Sequence, residues 1–275
     1  MAFNDNAVFT ASTGYVYKAV PGTAAMTPAE LRDFDPETYG AHSYDLLVSG
    51  EFTLTVGSDS TGTLPADAAA SAVQAELEKL ASVGSANVVV NTVEGSSGEF
   101  KVYFVGDLFG SEAELTGDAG ATVTESAKPL AWEPVGHTAA EELPEFGYEG
   151  GETEARSTWQ KKNLKQVSSE DPVDYVTIRA NQFDMETLEM YYGKNASKVA
   201  NVFGVDDPSS AGVDKAFMIV LVDGDFKIAF SSAKATVSRD ESIALATDDF
   251  AALPLRATFV KHPGRHLFEW TLPAA

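Results

Sequence analysis

The sequence predicts a mainly β fold carrying a small inserted α+β module, and three observations lead there. Short runs of alternating apolar and polar residues recur along the chain at strand period. One long amphipathic helical pattern stands out, Ala66–Ala81, with Ala69, Val73, Leu77 and Leu80 on one face. The segment around that helix, Ala41–Lys128, differs in charge from its flanks, with thirteen acidic residues and three basic ones.

Taken in order, Gly14–Val20 alternates, with Tyr15 and Tyr17 on one face and Val16 on the other, and Pro21-Gly22 ends it. A short helix is expected from Pro28, with Thr27 as N-cap and the proline at the first helical position, where no N–H is needed. Phe34-Asp35-Pro36 breaks it. Phe52, Leu54 and Val56 alternate with Thr53 and Thr55, and Gly57–Gly62 turns the chain. The Ala66–Ala81 helix stops at Gly84. Val88–Val93 and Phe100–Val105 read as a hairpin around Gly95-Ser96-Ser97-Gly98, with a weaker strand at Ala121–Thr124. This β-α-β-β-β order makes a module able to bury its own core. Further on, Tyr175–Ala180 alternates. Asp184–Tyr192 reads as a helix capped by Asp184 and ended by Gly193. Ala216–Val222 is apolar on both faces, as a central strand is. Asp223-Gly224 turns it into Phe226, Ile228 and Phe230. Ala233–Val237, Leu255–Val260 and Leu267–Leu272 complete the strands.

Composition narrows the function. The chain has 275 residues, 44% hydrophobic, no cysteine and a net charge of −22. Disulfides, thiolate metal sites and cysteine catalysis are excluded. The longest apolar run, Ala216–Val222, is too short to cross a bilayer as a helix, so no membrane partner is expected. Met1–Thr10 lacks a basic segment followed by an apolar stretch, which predicts no secretion signal. Excess negative charge repels duplex DNA. It serves solubility equally well, and charge alone does not choose.

A succession of short motifs follows the module: Trp132-Glu133-Pro134-Val135-Gly136-His137-Thr138, Leu143-Pro144-Glu145-Phe146-Gly147-Tyr148-Glu149-Gly150-Gly151, Thr158-Trp159-Gln160, Asp174-Tyr175-Val176-Thr177, Gln182-Phe183-Asp184 and Tyr191-Tyr192-Gly193. Pro254-Leu255-Arg256-Ala257-Thr258-Phe259 and Lys261-His262-Pro263 close it. With Thr13-Gly14-Tyr15-Val16 and Phe34-Asp35-Pro36-Glu37-Thr38, this order resembles the major tail (tail tube) proteins of long-tailed, non-contractile phages of actinobacteria. The resemblance implies a tail-tube-type β-sandwich with a flanking short helix, discontinuous over 1–40 and 129–275. It implies hexameric rings stacked into a hollow tube that conducts the genome. Implied partners are the chain itself, the tape-measure, terminator and distal tail proteins, and double-stranded DNA in transit without tight binding. The implied location is the virion tail, after assembly in the host cytoplasm. Residues 41–128 then read as an inserted accessory domain on the tube exterior, where insertions are tolerated. A second hypothesis makes that domain a host-surface or glycan-binding module on a structural mount.

No phosphate loop, nucleophile elbow or metal-binding helix motif occurs, so no enzyme, cofactor or metal is expected. Pro263-Gly264 in His262–His266 favours a turn over a metal site. Glu133–Glu154 holds seven glutamates and no Lys or Arg: Glu133, Glu141, Glu142, Glu145, Glu149, Glu152 and Glu154. It reads as a solvated loop, or as a loop lining the bore or a ring edge. Trp132, Trp159 and Trp270 are candidate core or interface anchors. Lys161, Lys162 and Lys165 form a basic patch, suited either to a neighbour's acidic loop or to an ordinary polar strand end.

Overall fold

The structure, a computed structural model, describes residues 8–140, 142–168, 171–207, 212–243, 245 and 250–274. In chain order the first elements are β1 (Thr13–Ala19), α1 (Pro28–Arg32), β2 (His42–Val48), β3 (Leu54–Val56), β4 (Asp59–Ser60), α2 (Ala70–Glu78), β5 (Val88–Thr92), β6 (Glu99–Phe104), β7 (Leu115–Gly117) and β8 (Ala121–Ala127). Then come β9 (Glu133–Pro134), β10 (Glu145–Glu149), β11 (Thr153–Arg156), β12 (Lys165–Ser168), β13 (Val173–Ala180), α3 (Met185–Tyr192), β14 (Val213–Asp223), β15 (Phe226–Arg239), β16 (Leu253–Phe259) and β17 (Glu269–Thr271). The chain divides into two compact units: Phe34–Glu133, and the flanking residues Met1–Asp33 with Pro134–Ala275.

The flanking unit is built on an eight-stranded sheet in the order β10-β13-β16-β15-β14-β1-β9, with β17 also on β15 and the pairs from β10 to β1 antiparallel. Interior strand β14, beside the central β15, is buried on both faces from Ala216 to Val220. Gly224, at φ +58, makes the tight turn into β15, with Asp223 paired to Phe226. Phe226–Phe230 and Ala233–Val237, expected as two strands, are one strand of fourteen residues. A register shift opposite Lys215/Phe217 interrupts its ladder. Bulges of this kind bend a strand and re-aim its edge. Beyond it β15 pairs with β16, and before it with β17.

Both helices of this unit begin as the sequence requires. Thr27 and Glu30 form a reciprocal capping box for α1, with Pro28 in the first turn. Asp184 Oδ1 accepts from the Thr187 N–H at 2.7 Å, and Gly193 ends α3 at φ +86. α3 packs on β15 and β16, placing Met190 and Tyr191 in the core with Val176, Ile178, Phe217 and Leu255.

The unit Phe34–Glu133 has its own core. A four-stranded sheet, β5-β6-β2-β8, and a three-stranded one, β4-β3-β7, share it with α2. Val73 and Leu77 of α2 are fully buried. The helix is shorter than its apolar pattern because Ala69 is extended (φ −73°, ψ 153°) and supplies no capping side chain. β2 was not anticipated. Its Tyr44 and Leu46 point inward, but exposed Leu47 breaks the alternation that would reveal it. The ends of the unit lie side by side, with the Leu130 N–H donating to Gly40 O at 2.9 Å.

Candidate functional site

The segment Glu133–Glu154 is not a plain loop. It contains β9, β10 and the start of β11. Phe146 and Tyr148 alternate with Glu145, Gly147 and Glu149, and this period of two lets β10 pair with β13. β10 is the last strand on its side of the sheet. Upstream, motifs distant in sequence converge. Gly136, at φ +101, leaves room for the Gln182 side chain, whose Oε1 accepts from the His137 N–H at 2.8 Å. The Asn181 N–H donates to His137 O, and the Ala139 N–H to Arg179 O.

β10 is fastened through its last residue. Arg256, on β16, donates from Nη1 and Nη2 to Glu149 Oε1 and Oε2 at 3.0 and 2.7 Å. The guanidinium also lies 3.6 Å from the centre of the Tyr175 ring on β13. Tyr175 sits opposite Gly147, where a Cβ would come within 2.4 Å of Cζ, so the ring requires glycine there. The Arg256 hydrogen bonds hold the Glu149 carboxyl below the usual carboxylate range, and Glu149 raises Arg256 in turn. Phe146 packs against Phe230 and Trp270, with ring centroids 4.7 and 5.3 Å away. Phe146 and Trp270 remain exposed at this aromatic cluster.

Before β10, Glu142 pairs with Arg179, whose Nη2 also donates to Glu241 Oε2 at 3.0 Å. These residues line a cleft of about 340 Å³ with Leu143, Glu145, Ile178, Asp240 and Pro254. Four carboxylates there face one guanidinium. Glu141 lies outside the described residues. Glu133 and Glu152 are exposed, on β9 and just ahead of β11. Trp132 is buried at 3% exposure, which withdraws it from any surface.

β11 and β12 form a separate two-stranded hairpin, Thr153 opposite Ser168 and Arg156 opposite Lys165. Its tip is closed by backbone hydrogen bonds between Thr158 and Lys161, in both directions, and from Leu164 to Arg156. Every residue from Glu152 to Gln166 is exposed, and Trp159 is exposed completely. Glu154 pairs loosely with Arg156 at 3.6 Å. Among the described residues no carboxylate pairs with Lys161, Lys162 or Lys165. The structure therefore separates the expected residues into a clamped edge strand, a carboxylate-rich cleft, a basic arm and one buried tryptophan.

Arg256, Tyr175 and Arg179 were not singled out in advance as site residues. The available signal was a cation on the polar side of an alternating strand, as in Leu255-Arg256-Ala257. Among the described residues no three His, Asp or Glu side chains group to hold a metal ion. His262–His266 is a turn, with the Arg265 N–H donating to His262 O at 3.2 Å.

A family model described as phage tail tube protein matches residues 105–274. The major tail protein of Mycobacterium phage L5 is 34% identical over 273 residues, covering 98% of this chain and 93% of that protein. The major tail protein of Mycobacterium phage D29 is 34% identical over 270 residues, with the same coverage.

Proposed function

The chain belongs to the phage tail tube protein family, as a structural subunit of a phage tail, and we propose that six copies close into rings that stack as a hollow tube for the genome. The observation that carries this reading is a sheet that one chain leaves open. Its eight strands end at the exposed edge strand β10. Barrels of about 16–18 strands enclose only a small-molecule channel. A bore wide enough for duplex DNA needs strands from several subunits. A closing interface within the ring and an open one between rings supply both dimensions of growth. The tape-measure, terminator and distal tail proteins would meet the tube at its lumen and ends.

Residues 41–128, which lie within the compact unit Phe34–Glu133, are the inserted domain in this reading, carried on the tube exterior. The adjacency of Gly40 and Leu130 supports this, because an insertion with neighbouring ends disturbs its host least. Glu145 and Glu149 on the edge strand, and Glu142 at the cleft, belong to the ring interface or the bore. Outside residues 41–128 the net charge is −12 of the chain's −22, and this supports passage of DNA without retention. Electron microscopy of the purified protein tests the reading. Hollow tubes or stacked rings are expected; a protein that stays monomeric at high concentration and under crowding refutes it.

A further inference from the structure

From Thr153 to Gln166 the β11–β12 hairpin buries no side chain within its own chain. Thr153–Gln166 is exposed throughout, and Trp159 at the tip is 103% exposed. A two-stranded hairpin alone is marginal in water. A tryptophan held out on one is a contact surface awaiting a partner, since aromatic anchors dominate interface energetics. Its charge is opposite to that of the molecule. Arg156, Lys161, Lys162 and Lys165 outnumber Glu154 on the hairpin, in a chain of net charge −22.

The same unit carries a groove complementary to this arm. The cleft of about 340 Å³ presents exposed Leu143 among Glu142, Glu145, Asp240 and Glu241, with Pro254 buried at its floor. Arg179 answers only two of those carboxylates, Glu142 and Glu241. We propose that the hairpin of one copy docks at this cleft on a second copy, with Trp159 against Leu143 and the tip lysines on the carboxylate rim. This rests on the self-assembly reading above and names the surfaces it would use. The contact joins two different patches, so it is head-to-tail and propagates, as a ring or a stack requires. Opposed charges set its register, and the tryptophan holds it.

Charge exchange tests it on the full chain. Lys161→Glu with Lys162→Glu, and separately Glu145→Lys with Asp240→Lys, should each block assembly, read by sedimentation velocity and electron microscopy. Trp159→Ala should raise the protein concentration needed for assembly by roughly 30-fold, the loss of one hot-spot side chain. The chain carrying all four charge reversals should assemble again, which a mere folding defect would not allow. Normal tubes from the lysine variant overturn the proposal while leaving self-assembly standing. So does a four-fold variant that is folded by circular dichroism yet as inert as either half. A lysine variant that forms normal tubes but loses retention of labelled duplex would assign the hairpin to DNA instead, and also overturns it. If the wild-type chain never assembles, the self-assembly reading fails first.

Discussion

Replacing Leu77 with alanine should destabilise the 34–133 unit without loosening the rest of the chain. Leu77 is fully buried in α2, in one cluster with Val73, Leu80, Val83, Val88 and Val90. Alanine is at least as good a helix former, so the change removes burial and leaves a cavity but does not weaken the helix itself. Leu→Ala at such sites costs about 2–5 kcal/mol, and full burial against a sheet places this one near ~3 kcal/mol. With a urea m-value of about 1.5 kcal/mol/M for a unit of this size, its midpoint should fall by ~2 M. Amide exchange read peptide by peptide gives the sharper test. Core amides of β5 and β6 that exchange by global opening of the unit should speed up roughly 100-fold, while those of β14 and β15 stay unchanged. The two hydrophobic clusters share no residue, which is why the effects should separate. Equal acceleration in β14 would show that the chain unfolds as one cooperative body and would refute the argument.

Arg256→Met should free β10 while keeping the bulk over Tyr175, seen as faster amide exchange in Glu145–Glu149. Glu149 has a lowered pKa in the folded chain, so its contribution is complete above the ordinary carboxylate value of about 4.3 and is lost as pH falls through the lower folded value. Protection of β10 should therefore decline in that acid window, and the Arg256→Met variant should lack this decline. Asp184→Ala removes the cap on α3 and the acceptor of the buried Thr187 hydroxyl. It should cost about 1 kcal/mol and lower the melting temperature of the flanking unit by about 2–4 °C, measured calorimetrically; an unchanged melting point would mean the cap is idle. Assembled tubes should fail to co-sediment with labelled duplex DNA even at about 50 mM salt, where phosphate contacts are strongest. Tight retention would contradict a repulsive bore.

Much of the fold was legible where local chemistry and burial agree. Asp184 and Gly193 bracket α3, the Thr27-Pro28 pair starts α1, and Gly224 turns β14 into β15. Ala216–Val222 read as central because both faces are apolar, and Ala216–Val220 is buried on both. What escaped was set by long-range pairing. β2 holds a central place between β6 and β8, yet its residues carry exposed Asp45 and Leu47 between buried ones. β15 was divided in two because a bulge interrupts its period. In Glu145–Glu149 the count of glutamates hid the alternation of Phe146 and Tyr148. At the candidate site the sequence offered the acids and lysines. The cations that organise them, Arg179 and Arg256, come from strands far along the chain and become visible only once β13 and β16 are paired.

The disposition of positive charge bears on how one surface can assemble with itself and still let DNA pass. Phosphate is held by cations that are free to shed counterions to it. On the flanking unit many cations are already committed: Lys18 to Glu186, Arg32 to Asp33, Arg179 to Glu142 and Glu241, Lys234 to Asp214, Arg256 to Glu149 and Arg265 to Glu269. Each such pair adds little to stability where it is exposed. Each also lowers the positive potential that a passing phosphate would meet. On the hairpin Lys161, Lys162 and Lys165 have no carboxylate partner among the described residues, and they stand beside Trp159. Charge left open on an arm, next to an open aromatic, suits a contact made once per subunit at assembly. If a neighbour's carboxylates then cover it, the completed tube presents less unpaired positive charge than its separate subunits do. The same ion pairing that binds the arm would in that case remove the lysines from any phosphate within the roughly 8 Å over which charges act at physiological salt.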